Sequence, residues 1–162
     1  MTADIYQEDG STSVLTAQLQ QDLRLGPLHW DNILTYQRSD NEEVLPLPTL
    51  NLYTNLYLHF VVAKVLTVDL GADMTYFTKY YAPDFCPQLS QFAVQQNQDS
   101  RVELGEYPFV NVYANMHLKR ARFFIMMSNA ASGSANKKAF LTPHYPMNSS
   151  VLRFGVSWNF FN

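Results

Sequence analysis

The final twelve residues, Val151 to Asn162, constrain the fold more than any other stretch. Leu152, Phe154, Val156, Trp158 and Phe160 alternate there with Arg153, Gly155, Ser157 and Asn159. Successive side chains of a strand point to opposite sides, so one face is apolar and the other polar. A strand with these two faces needs a different environment on each side.

The same period of two runs through nearly the whole chain. Leu15, Ala17, Leu19 and Leu23 oppose Thr16, Gln18, Gln20, Asp22 and Arg24. Leu28, Trp30, Leu34 and Tyr36 oppose His29, Asp31, Thr35 and Gln37. A third strand sets Leu50 to Val62 in alternation, and a fourth does so from Leu66 to Tyr76. Val110 to Leu118 carries the pattern on. The stretch from Ala121 to Asn129 is less regular, because Phe124 and Met126 fall on the polar parity. The terminal strand brings the expected number to about seven, each close to the roughly 9–11 residues of a tilted membrane-crossing strand.

Composition narrows the setting. Charged residues make up 15% of the chain, against roughly 25% in soluble domains. Aromatics reach 14% and net charge is -3, so no nucleic-acid surface is expected. Apolar runs such as Phe123 to Met127 are far shorter than the roughly 20 residues of a spanning helix. Any bilayer contact must therefore be made by strands. The lone Cys86 has no disulfide partner and no Cys-based metal site. The start, Met1 to Asp9, is acidic and unlike a secretory signal. A secreted barrel would need its signal upstream of this segment.

Short links near Gly26-Pro27, Ala63-Lys64 and Lys119-Arg120 alternate with long ones at Ser39 to Pro48, Tyr81 to Tyr107 and Ala130 to Ser149. That segregation suits tight periplasmic turns and long extracellular loops. A periplasmic C-terminus puts Trp30, Phe60, Trp158 and Phe160 near one edge of the apolar band, and Tyr36, Tyr76 and Tyr80 near the other. Interface-seeking rings produce two such girdles. Asp22, Arg24, Asp31, Asp69, Asp73, Lys79, Arg122 and Arg153 share the polar parity. A soluble sandwich shows the same alternation with the faces reversed in meaning.

Several short motifs are familiar in order and spacing. They are Tyr80-Tyr81-Ala82-Pro83, Gln91-Phe92, Gly105-Glu106-Tyr107-Pro108, Thr142-Pro143-His144-Tyr145-Pro146 and the terminal Arg153 to Phe160. Through them, Leu45 to Asn162 resembles the C-terminal end of the putative porin family of Gram-negative outer membranes. The resemblance implies that residues 1–162 are the last part of a longer barrel, without a separate second domain. It also implies residence in the outer membrane, with a signal peptide upstream. One departure is the ending Phe160-Phe161-Asn162, where outer-membrane barrels usually finish on an aromatic.

The fold expected is therefore all-β: an antiparallel transmembrane β-barrel fragment of about seven strands. Its function would be passive diffusion of small hydrophilic solutes, with no enzymatic chemistry, cofactor or metal. Asn51, Asn55, His59, Asp69, Asp73, Asn111, His117, Arg122 and Arg153 are the expected pore lining; solvated wall residues remote from a constriction are the alternative. Phe154, Val156, Trp158 and Phe160 are expected to be read by the barrel-assembly machinery. Outer-membrane lipids and solutes are the other expected partners, with no nucleic acid and no particular oligomeric state implied. His59 with His117 does not make a metal site, because strand four separates them. His29 and Asp31 could pair, but no placed nucleophile joins them. The rival functions are a soluble lipocalin-like ligand-binding barrel and the barrel end of an active outer-membrane transporter.

Overall fold

A computed structural model describes residues 10–95, 98–132 and 140–160. Seven long strands form one antiparallel sheet: β1 (Val14–Leu25), β2 (Leu28–Ser39), β3 (Leu50–Val62), β4 (Leu66–Phe77), β7 (Phe109–Leu118), β8 (Ala121–Ser128) and β11 (Val151–Trp158). Their order in the sheet follows their order in the chain. Two small hairpins lie in the connections, β5 (Asp84–Cys86) with β6 (Gln91–Ala93) and β9 (Phe140–Thr142) with β10 (Tyr145–Pro146). No α-helix occurs among the described residues. Among the described residues the sheet is open: β1 pairs only with β2 and β11 only with β8. The antiparallel sheet of seven strands agrees with the expected all-β barrel fragment, and it does not close on itself. Phe161 and Asn162 lie outside the described residues.

The tight turns are built by backbone chemistry that the sequence supplies. Gly26 takes a φ of 61° between the paired Leu25 and Leu28, as the first central residue of a two-residue hairpin requires. Ala63 and Lys64 both have positive φ, and Val65 N donates back to Val62 O at 3.2 Å. Lys119 does likewise between Leu118 and Ala121. All three turns lie at one end of the sheet, and the long connections lie at the other.

The registers step along the sheet. Leu28 of β2 faces Leu58 of β3, four residues short of the β3 end at Val62. Such stagger is what tilts strands in a wall that curves. Two glycines fit these crowded crossings. A Cβ on Gly71 would lie 2.5 Å from Tyr57 Cβ and 2.7 Å from Leu56 O, so the facing strand itself is in the way. A Cβ on Gly155 would meet the Phe124 ring first, at 2.4 Å. Phe124, the irregular aromatic of the polar parity, thus covers the glycine that pairs with it. Gly71→Ala should cost about 1–3 kcal/mol, the usual penalty of overpacking. Gly155→Ala should cost less, because an exposed ring can swing aside. Equal shifts in the unfolding midpoint of the two variants would contradict this.

No packed core accompanies the sheet. Among the described residues the buried hydrophobic side chains are Ala82, Leu104 and Ala121, with Pro143 wholly enclosed in the loops. By contrast Leu19, Leu152 and Phe154 are 65%, 67% and 78% exposed. The apolar face has no partner among the described residues.

Candidate functional site

The polar face is organised in rows by strand register. One row runs Asp22, Asp31, Asn55, Asp73, Asn111 across five strands. It contains three carboxylates, two amides and no cation. Asp22 and Asp31 stand directly opposite each other, an arrangement that disfavours folding. The amides tie the row together: Asn111 Nδ2 donates to Asp73 Oδ1 at 2.8 Å, and Tyr113 Oη donates to Asn55 Oδ1 at 2.8 Å. Asn111 Oδ1 in turn accepts from the backbone of Asn129, whose own Oδ1 accepts from Tyr107 Oη. Asn129 sits at a φ of 52°, a conformation asparagine tolerates better than most residues.

A second row runs Arg24, His29, Tyr57, Gly71, Tyr113, Met126, Arg153. A third places His59, Asp69, Asn115 and Phe124 in line. A fourth joins Thr67, His117, Arg122 and Ser157. All nine residues expected to line a pore are on this face, with Asn51 opposite Thr35 near the long-loop end. His59 and His117 are held apart by β4. His59 Nδ1 lies 2.5 Å from Asp69 Oδ1, whereas His29 Nδ1, on the strand of Asp31, has no hydrogen-bond partner among the described residues. The acids cluster on β1, β2 and β4, while Arg122 and Arg153 stand on β8 and β11.

The family model described as putative porin matches residues 2–162. The chain belongs to the putative porin family. The match extends past the stretch from Leu45 onward that carried the resemblance, and takes in the first two strands. Comparison with the curated proteins and with the solved structures gave no match.

In this porin-family chain the long connections pack on one another at the end of the sheet opposite the tight turns. Phe85 of β5 meets Phe92 at 5.4 Å and Tyr145 of β10 at 6.4 Å between ring centroids. His144 Nδ1 lies 2.9 Å from Asp84 Oδ2, so the two hairpins are joined across the connections. Pro143 and His144, the latter at a φ of 64°, make the turn of β9–β10. Gln95 organises the base of the other loop. Its Nε2 donates to Ala82 O at 2.7 Å and Val102 O at 2.9 Å, and its Oε1 accepts from Val102 N at 2.8 Å.

A cavity of about 360 Å³ lies beside it, lined by Glu42, Glu43, Lys79, Tyr80, Tyr81 and Arg101 among others. Hydrogen bonding to Glu106, with Glu103 nearby, holds the Lys79 ammonium above its ordinary value. Burial pushes the Tyr80 phenol up. Tyr80 lies beyond β4, bridged to Leu104 and edge-on to Phe77 at 5.8 Å. It belongs to the loop base, whereas the sequence-based expectation put it in a girdle on the strand face.

Some groups escaped the sequence-based reading. Asp22 and Asp31 have the polar parity, and the Gly26-Pro27 turn alone sets them opposite each other, so the signal was present. The polar patch on the apolar face was less legible. Gln21, Asn32 and Thr54 are register partners there. Trp30 Nε1 donates to Thr54 Oγ1 at 2.8 Å, and Thr54 Oγ1 donates to Asn32 Oδ1 at 2.6 Å. Arg38, opposite Leu15, also has the apolar parity, at the long-loop end of β2.

Proposed function

We propose that this chain forms a sector of the wall of an outer-membrane diffusion channel, its apolar face toward lipid and its polar face toward a water-filled lumen. The observation that carries this reading is the uncovered apolar face. Seven paired strands present Leu, Val, Ile, Phe and Trp side chains outward, with nothing among the described residues packed on them. In water that surface would drive aggregation; in hydrocarbon it is matched. Family membership supports the same reading.

The two faces differ in crowding as well as in chemistry. On β2 and β3 the polar-face residues His29, Asp31, Tyr53, Asn55 and Tyr57 are partly covered. Trp30, Leu34, Leu56 and Leu58 of the apolar face are exposed. Side chains screen one another on the inside of a curve and splay on the outside. A lipocalin-like barrel would reverse that difference. The open edges of β1 and β11 must find partners, since unpaired backbone groups in hydrocarbon cost several kcal/mol each. Further strands would complete the barrel around the lumen. The periplasmic end is then that of the tight turns, and the packed hairpins face outward. The partners are outer-membrane lipids, the assembly machinery and small hydrophilic solutes; no chemistry is catalysed.

The carboxylate row gives this sector a preference for cations. An ion passing about 4 Å from one carboxylate in water gains about 1 kcal/mol. Replacing Asp22, Asp31 and Asp73 together with Asn should therefore lower the cation-to-anion permeability ratio several-fold. The readout is the reversal potential of the reconstituted protein in a KCl gradient. An unchanged potential would remove this row from the permeation path.

A further inference from the structure

We propose that His29 and His59 form a two-imidazole clamp for a divalent transition-metal ion of the Zn²⁺ or Ni²⁺ type, at the tight-turn end of the polar face. The two residues stand on neighbouring strands, diagonal to each other because His29 pairs with Tyr57. Their ring centroids are 5.7 Å apart with planes at 54°. Zinc binds imidazole nitrogen at about 2.0–2.1 Å, so two rings on one ion have centroids roughly 5 to 6.5 Å apart, from tetrahedral to linear arrangements. The observed separation already falls in that range.

Both rings have nitrogen to offer. His59 is oriented through Nδ1 by Asp69 at 2.5 Å, and its Nε2 makes no hydrogen bond among the described residues. A carboxylate on the far nitrogen of a ligating histidine fixes the ring and raises its basicity. His59 is also anchored by its backbone, whose N–H donates to Pro27 O at 2.7 Å. His29 Nδ1 is enclosed and has no hydrogen-bond partner among the described residues. Leaving such an atom unsatisfied is costly, and ligation would satisfy it. Tyr57 lies against His29 at 4.8 Å and limits how far that ring can turn away.

Imidazole ligands favour Zn²⁺, Ni²⁺ and Cu²⁺ over Mg²⁺ and Ca²⁺. No group of three or more His, Cys, Asp or Glu converges among the described residues. Water or a solute carboxylate would therefore fill the remaining positions, and the ion could exchange. The clamp is built from the wall itself and does not depend on what else passes the lumen.

Titration of Zn²⁺ into the detergent-solubilised full chain, followed by calorimetry, tests the proposal. One ion per chain is expected. His29→Gln and His59→Gln should each abolish that binding, Asp69→Asn should weaken it about 10–100-fold, and His117→Gln should leave it unchanged. Electron paramagnetic resonance of the Cu²⁺-loaded wild-type protein should show coupling to two imidazole nitrogens, a readout that needs no variant to fold. Fewer than two coupled nitrogens, or Zn²⁺ binding that survives the double His→Gln change, would overturn the proposal. Channel conductance is measured separately, so failure of the clamp and failure of the porin reading are distinguishable.

Discussion

Leu56→Arg should destabilise the membrane-inserted protein by about 1–3 kcal/mol, the cost of Arg on the lipid face between the interface and the bilayer midplane. Asn55→Arg, one residue away, should be tolerated. Leu56 pairs with Trp30 and Ala72 on the apolar face, while Asn55 pairs with Asp31 and Asp73 on the polar one. A guanidinium at 55 would enter an acidic, hydrated row, and one at 56 would enter hydrocarbon. Equilibrium unfolding in lipid vesicles measures both. The variant at 55 should also shift selectivity toward anions, offsetting part of the carboxylate row. Equal destabilisation of the two variants would refute the assignment of the faces.

Removing residues 151–162 should abolish insertion altogether. The deletion takes away β11 and its pairing with β8 from Val151↔Ser128 to Trp158↔Ala121, and leaves β8 as a bare edge. A gentler variant separates ladder from face: Phe154→Ser, Val156→Ser and Trp158→Ser together keep the backbone pairing. The three side chains are 78%, 64% and 57% exposed, so little intramolecular packing is lost. Each burial in lipid or against the assembly machinery is worth about 1.5–3 kcal/mol for an aliphatic or aromatic side chain. The triple variant should therefore assemble poorly as well. A heat-shift gel of outer-membrane fractions reads both variants. Normal insertion of the truncated protein would rule out a role for the last strand in assembly.

The sequence by itself determined the strands, their faces and their tight turns. Alternation from Leu15 to Trp158 placed all seven long strands within a few residues of their observed limits. Gly26-Pro27, Ala63-Lys64 and Lys119-Arg120 marked the hairpins that join them. Both signals are local: side-chain parity is set by backbone geometry, and a tight turn fixes the register of its own two strands. That is why Asp22 opposite Asp31 could have been read from the turn between them.

Tertiary structure decided what depends on pairing across long connections. Asp73 joins the row of Asp22 and Asp31 only because β2 pairs with β3 with a stagger, across the loop after Ser39. The meeting of His29 with His59 has the same origin. Asp84 reaches His144, and Phe85 reaches Tyr145, because two hairpins far apart in the chain pack together at one end of the sheet. Gln95, in the long connection between Tyr81 and Tyr107, is buried and holds the backbone around Ala82 and Val102. Local periodicity carries no record of such contacts; they follow from which strands lie side by side and by how many residues each is offset from the next.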